Sequence, residues 1–164
     1  MVVTRAGKID DAEKISRVLA LSWKTAYRGI VNDDYLDKLK DTYWVEFLTE
    51  GLKNGTVFSI VIEDDRGIFG AAILSRTEKE CEVNLISFYL IPDKIGQGFG
   101  HIFYSAIESE LKDREFSTCV VDVLESNARA ISFYKAHGFV DTGRAVSTAL
   151  AEQNYTCLVF EKPL

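Results

Sequence analysis

Three glycines that alternate with other residues are the feature of this sequence best suited to chemistry. Gly96, Gly98 and Gly100 follow Pro92 and stand between a strand-like run and a helix-like run. Glycine has no side chain to block a ligand, and its backbone adopts the positive φ values that turn several N–H groups into one concavity. The positive end of the following helix adds to this effect. The segment therefore predicts a site for phosphate or diphosphate.

Three kinds of ligand could use such a loop. A phosphate-binding P-loop needs Gly-Lys-Ser/Thr at its end, and this loop fails because His101 follows Gly100. A dinucleotide loop needs G-x-G-x-x-G, and His101 stands where the third glycine belongs. A dinucleotide-binding oxidoreductase and a purely structural turn stay open as alternatives. The ligand we favour is coenzyme A, whose diphosphate can lie on such a loop.

A second pattern follows in VDVLESNARAISFYKAHGF, residues 121–139. A strand-like run leads to Asn127, a helix-like run carries Phe133 and Tyr134, and the run ends at Gly138-Phe139. Together with the glycine loop, this pattern resembles the GNAT (general N-acetyltransferase) superfamily, whose acetyl-CoA loop reads Gln/Arg-x-x-Gly-x-Gly/Ala. The two patterns stand in the family's order and at its spacing. The N-terminal third is also similar to many bacterial members, so the resemblance covers nearly the whole chain.

The resemblance implies how acetyl-CoA is held. The family's loop contacts are mainly backbone, so Ile95, which replaces Gln or Arg, weakens the pattern without removing its mechanism. Lys94 or Gln97 could supply the missing polar side chain. The backbone of Phe88 and Leu90 is expected to pair with the pantetheine arm. The residues predicted to bind the cofactor are Phe88, Leu90, Ile95, Gly96, Gln97, Gly98, Phe99, Gly100, Asn127 and Tyr134.

The reaction that the resemblance implies is direct attack of a neutral amine on the thioester, which needs a carbonyl donor, a base and an acid. We expect the N–H of Leu90 to polarise the carbonyl. Tyr134 is the predicted acid, because a phenol with a pKa of ~10 keeps its proton at neutral pH. Many members carry a base glutamate six residues before Leu90, where this chain has Asn84. Glu82, two residues earlier and on the same face if the strand alternates there, is therefore the predicted base, directly or through water. A water chain or a residue of the N-terminal helices are the alternatives.

Five other polar residues lie near these patterns, and most of them have two interpretations. Asn127 can donate and accept toward pantetheine, or it can cap a helix. His101 could face a phosphate, although a surface position on the helix is favoured. His137 suits the negative end of a helix. Arg129 and Lys135 could meet the 3′-phosphate, although solvated positions are favoured.

Hydrophobic periodicity predicts the fold around these sites. Helical spacing dominates residues 10–53, and strand-like alternation begins near Thr56. In CEVNLISFYLI the buried phase changes between Leu85 and Ile86, which predicts a bulge or burial on both faces. With the resemblance, this order predicts one N-acetyltransferase domain over residues 1–164, of mixed α/β class. The GNAT acyltransferase fold would comprise a twisted, mostly antiparallel sheet, a central splayed parallel pair, and helices on both faces.

The acceptor pocket is predicted to lie between the N-terminal helices and the terminal hairpin. Aromatic and acidic side chains suit a cationic amine such as a polyamine, and they equally suit a core with a solvated acidic edge. The aromatic candidates are Trp23, Tyr27, Tyr35 and Tyr43, and the acidic ones are Asp33, Asp34 and Asp37.

Composition excludes several classes of function. The net charge of −6, without a basic run, argues against nucleic acid. No apolar run is long enough for a membrane span, and the first residues lack a signal-peptide pattern, so we expect a cytoplasmic protein. Cys81, Cys119 and Cys157 lack metal-ligand spacing, and we expect buried thiols and no metal. A homodimer stays open.

These patterns together favour transfer of an acetyl group from acetyl-CoA to a primary amine on a small molecule or peptide. A catalytically silent acyl-CoA-binding sensor or scaffold is the alternative, because Asn84 replaces the usual glutamate.

Overall fold

One seven-stranded sheet organises the computed structural model, which describes residues 1–164. Its order is β1-β2-β3-β4-β5-β7-β6, and every neighbouring pair is antiparallel except β4 and β5. The strands are β1 (Val3–Ala6), β2 (Phe58–Asp64), β3 (Gly67–Arg76), β4 (Glu82–Leu90), β5 (Thr118–Leu124), β6 (Val140–Leu150) and β7 (Gln153–Pro163). The helices are α1 (Ala12–Ala26), α2 (Asp33–Lys38), α3 (Val45–Asn54), α4 (Phe99–Asp113) and α5 (Ala128–Ala136). None of them combines the length and hydropathy of a membrane span.

The parallel pair is splayed, as predicted. β4 and β5 are in register only at Glu82 with Thr118, at the next pair, and at Asn84 with Val120. Beyond Asn84 the two strands diverge, and β5 continues its pairing with β7 on its other edge as far as Leu124. The sheet therefore contains an open wedge between its two central strands.

The predicted bulge lies at the start of this wedge. Ser87 faces Ile73 on β3, whereas Leu85 faces Leu74, so Ile86 is an extra residue without a partner. An extra residue reverses the side-chain alternation of a strand. This reversal explains why the apolar phase of the sequence changes between Leu85 and Ile86.

Helices cover both faces of the sheet, as the fold class requires. On one face, α4 and α5 pack over a core of nineteen buried residues that includes Phe103, Tyr104 and Phe160. On the other face, α1 and α3 enclose nine buried residues that include Ile15 and Leu48. One detail of the sequence analysis is wrong: Cys81 is exposed, in the turn before β4, while the other two cysteines are buried.

An ion-pair cluster joins the first strand to the start of α1. The guanidinium of Arg5 donates to Asp11 at 2.8 Å and to Glu63 on β2 at 2.8 Å. The hydrogen bonds from Arg5 lower the pKa of Asp11 and of Glu63 below their ordinary values. Asp11 is 6% exposed, so its charge depends on this partner.

Replacing Arg5 with alanine should lower the free energy of unfolding by about 2–3 kcal/mol at pH 7, because it leaves Asp11 buried and unpaired. Carboxyls whose pKa falls on folding stabilise above their unfolded pKa of about 4, and they lose that contribution as the pH drops further. The difference between wild type and variant should therefore shrink below about pH 4 in urea titrations.

Arg28→Ala is the matched control for that experiment. Arg28 pairs with Asp37 at 2.9 Å, but both side chains are exposed, so this change should cost less than about 1 kcal/mol. An Arg5→Ala protein as stable as the Arg28→Ala protein at pH 7 would contradict the role assigned to the cluster.

Candidate active site

A groove of about 470 Å³ fills the wedge between β4 and β5. Residues 84–89 of β4 form one wall, and residues 121–124 of β5 form the other. Residues 148–151, at the tip of the β6–β7 hairpin, close one end. The aromatic residues predicted for the acceptor pocket line the groove along α1, α2 and the turn before α3, and Trp44, which was not predicted, lies beside them: Trp23, Tyr27, Tyr35 and Tyr43.

Two amides of β4 point into this groove. The N–H of Ile91, the residue after β4, donates to the carbonyl of Phe69 on β3 at 2.8 Å. Because successive amides of an antiparallel strand point to opposite edges, the N–H groups of Phe88 and Leu90 face away from β3. No strand lies beside them, since β5 has already diverged. A linear arm in the groove could therefore bond to β4 as a strand would.

The carbonyl group of Leu90 is already occupied, which the sequence did not indicate. The hydroxyl of Ser22, on α1, donates to this oxygen at 2.9 Å and also to the Val18 carbonyl at 2.7 Å. Ser22 is 3% exposed, so the bond ties α1 firmly to β4. Leu90 can therefore offer a ligand its free N–H, while one lone pair of its carbonyl is taken by Ser22.

The glycine loop has the open backbone that its sequence predicts. Gly96 has φ +78° and Gly98, directly before α4, has φ +83°. A Cβ atom at either position would meet nothing within 4 Å, so the space above the loop is free. Gly100 has another reason to be glycine, because a Cβ there would lie 3.3 Å from the ring of Phe133.

The side chains of this loop already have partners within the chain. Lys94 binds Asp64 at 2.6 Å, and the amide of Gln97 donates to the Asp93 carbonyl at 2.6 Å. Neither replaces the missing polar side chain as suggested. Ile95 and Phe99 pack against the core, so the loop can offer a ligand mainly its main chain.

Asn127 and Tyr134 line the groove on the α5 side. The Oδ1 atom of Asn127 accepts from the Ala130 amide at 3.1 Å, while its Nδ2 group has no partner in the chain. The helix cap is thus confirmed, and the amino group stays free for the contact with pantetheine that the resemblance implies. The hydroxyl of Tyr134 also has no partner, although the residue is only 7% exposed. Burial raises the pKa of Tyr134, which keeps the phenol protonated at neutral pH.

Glu82 does not lie in the groove. It sits at the closed end of the parallel pair, opposite Thr118. Its carboxylate accepts from the Thr77 hydroxyl at 2.9 Å and lies 3.4 Å from the Lys79 ammonium. Asn84, by contrast, lines the groove where the strands separate. The geometry therefore does not favour Glu82 as a base.

The sequence analysis missed Asp122, which is the only charged residue that lines the groove. It lies on β5, two residues beyond the last residue paired with β4. Partial burial raises the pKa of Asp122, and the positive charge of Arg144 opposes that rise. The available signal was a lone carboxylate in TCVVDVL, which is otherwise an apolar strand.

The remaining polar candidates lie outside the groove. His101 on α4 and His137 after α5 contact each other, with 2.8 Å between Nδ1 and Nε2. Burial lowers the pKa of His137. Arg129 and Lys135 are exposed on α5. The acidic candidates Asp33, Asp34 and Asp37 do not line the groove, and Arg28 lies 3.7 Å from the first and 2.9 Å from the last.

Known proteins are similar to this chain in both sequence and fold. The model of the acetyltransferase (GNAT) family matches residues 18–139. An uncharacterised N-acetyltransferase, YuaI of Bacillus subtilis (strain 168), is 31% identical over 141 residues, which cover 84% of this chain and 79% of the relative. Spermidine N(1)-acetyltransferase of Thermoplasma acidophilum is 25% identical over 152 residues, covering 90% and 93%.

A solved structure agrees with the whole architecture. The PaiA N-acetyltransferase of Thermoplasma acidophilum, in complex with coenzyme A, superimposes with a TM-score of 0.76 at 21% identity, over 100% of this chain and 99% of that one. The resemblance predicted from the glycine loop and the Asn127–Phe139 pattern is thereby confirmed. With a splayed central pair, an open glycine loop and a family match over most of its length, this chain belongs to the GNAT family of acetyltransferases.

Proposed function

We propose that this groove transfers an acetyl group from acetyl-CoA to a primary amine, by direct attack while both substrates are bound. Family membership makes acetyl-CoA the donor. The single observation that carries the proposal is one continuous groove with two free amides of β4 on one wall and the unpaired hydroxyl of Tyr134 on the other. We place the reaction in the cytoplasm, on the sequence pattern alone.

The residues of the groove fit the parts of the donor. The main chain of the loop at Gly96 and Gly98, with the N-terminus of α4, suits the diphosphate. The N–H groups of Phe88 and Leu90 suit the amide carbonyls of the pantetheine arm and the thioester oxygen. The free Nδ2 group of Asn127 can donate to the same arm from the opposite wall. The donor supplies an activated acetyl group as a thioester.

Tyr134 is the group we propose for proton transfer to the leaving thiolate. Its hydroxyl makes no bond within the chain, so it is free to donate. Burial raises its pKa, and a phenol that stays protonated is the form an acid requires. The rings of Phe133 and Phe139 pack against it at 5.7 and 5.2 Å and fix its orientation.

A cationic small amine is the acceptor that the groove supports best. Aromatic rings form much of its wall, and neither Lys nor Arg lines it. Such a wall attracts cations and offers no positive side chain to an anion. The relative from Thermoplasma acidophilum that is named for spermidine supports the same class.

An amine panel with acetyl-CoA tests the proposal. Spermidine, an aminoglycoside, a free amino acid and a peptide with an open N-terminus would be compared by thiol release and by the mass of the product. We expect spermidine to be acetylated faster than the amino acid, whose carboxylate finds no cation in the groove. Coenzyme A binding without turnover of any amine would instead indicate the silent acyl-CoA binder.

A further inference from the structure

A single carboxylate stands in a groove that otherwise carries no charge. Asp122 is the only Asp, Glu, Lys or Arg among the lining residues. It follows Val120, which is paired with Asn84 at the point where the two strands separate. The carboxylate therefore lies near the narrow end of the wedge, on the wall opposite the bulge at Ile86.

The alternation of β5 decides which side of the sheet this carboxylate faces. Val121 and Val123 belong to the core beneath α4 and α5, which also contains Tyr134. Leu124 belongs to the opposite cluster, with Tyr27 at the end of α1. Asp122 lies two residues before Leu124 and therefore on the same face of β5, so its side chain faces the aromatic wall. An amine entering past that wall would find the Asp122 carboxylate on its own side of the sheet.

Asp122 also has no competing partner. It makes no hydrogen bond and no ion pair within the chain, unlike Glu82, which is bound by Thr77 and Lys79. Partial burial raises the pKa of Asp122, and Arg144 only opposes that rise. The carboxylate is exposed to the groove and has no partner at hydrogen-bond or ion-pair distance, so it is available to a cationic ligand.

Resting on the proposed function, we infer that Asp122 binds the ammonium group of the acceptor and takes one of its protons. The neutral amine then forms the C–N bond with the acetyl carbon while the C–S bond breaks. The electron pair of the C–S bond leaves on sulfur, and Tyr134 supplies its proton. The amide nitrogen releases its second proton, which restores the phenol through the solvent in the groove, and Asp122 gives the proton it took to the solvent. Overall, the ammonium form of the acceptor and the thioester react to give the amide, the free thiol of coenzyme A and one proton.

In this arrangement the Asp122 carboxylate determines which acceptors can bind. A single negative charge selects a cation, and the absence of Lys and Arg from the groove leaves a neighbouring carboxylate or phosphate of an acceptor unpaired. We therefore infer an alkylamine without an anionic group near its nitrogen.

The test is Asp122→Asn, with Asp34→Asn as the matched control. Asp34 is an exposed carboxylate on α2, outside the groove and without an ion pair. The probe is spermidine, or the fastest acceptor of the amine panel if spermidine is not acetylated. Asp122→Asn should lower kcat/KM roughly tenfold or more and remove the acidic limb of its pH profile, while coenzyme A affinity and Tm stay near wild type. Asp34→Asn should change neither.

A second acceptor separates proton transfer from folding or packing defects. A fluorinated alkylamine is already neutral at pH 7, so its acetylation should lose much less in the Asp122→Asn protein than that of spermidine. An unchanged pH profile, or equal losses for both amines, would overturn the inference and leave the proposed function intact. A wild-type protein that acetylates no amine would overturn both.

Discussion

The Tyr134→Phe protein should lose about a hundredfold to a thousandfold in kcat and keep its affinity for coenzyme A. The change removes one oxygen that has no partner in the chain, so the packing of the ring against Phe133 and Phe139 survives. Without the phenol, the leaving thiolate must take its proton from water. Steady-state kinetics for turnover and calorimetry for binding would measure the two effects separately.

Tyr104→Phe is the matched control for this change. Tyr104 is a fully buried residue of α4, and its hydroxyl also lacks a partner, but the residue lies outside the groove. Removing that hydroxyl should leave kcat unchanged and the stability equal or slightly higher. If both variants keep wild-type turnover, Tyr134 is not the acid.

A Gly98→Val protein should bind coenzyme A about ten to a hundred times more weakly. Gly98 has φ +83°, which a β-branched residue adopts only with strain of about 1–3 kcal/mol. The new side chain would also fill the open space above the loop, where we place the diphosphate. Calorimetry with coenzyme A would measure the loss, and kcat/KM for acetyl-CoA should fall in parallel.

Gly143→Val separates the ligand effect from backbone strain. Gly143, on β6, has φ +75° and equally open surroundings, but it lies outside the groove. Its replacement should cost similar stability and leave the affinity for coenzyme A unchanged. Equal affinities in the two variants would show that the diphosphate does not lie on the loop at Gly98.

Local features of the fold could be predicted because local sequence determines them. The phase change between Leu85 and Ile86 indicated the bulge, since strand alternation has a period of two and one extra residue must reverse it. The positive φ of Gly96 and Gly98 followed from the use of glycine in a loop before a helix. The start of α2 is equally local, because Asn32 is a common capping residue and its side chain accepts from the Tyr35 amide at 3.1 Å.

Side-chain partners could not be predicted, because residues distant in sequence supply them. Lys94 stands at the start of the glycine loop, and its ammonium group binds Asp64, thirty residues earlier. Glu82 satisfied the alternation argument, yet that argument cannot say where two strands separate, and Glu82 lies on the paired side of that point. The Leu90 carbonyl is occupied by Ser22, a residue of α1 that carries no sequence signal for this task.

The opening of the sheet between β4 and β5 has a consequence for how distant changes act. Only three residue pairs of main chain join the two portions of the sheet. Cohesion across this seam depends on side chains beneath it, such as Phe103, Tyr104 and Ile107 of α4, which belong to one core shared by both portions. The width of the wedge is thus governed by the volume of residues that never touch a substrate. Changes of side-chain volume in that layer, unlike the loss of one oxygen in Tyr104→Phe, should alter turnover before they alter stability, because catalysis tolerates smaller displacements than folding does.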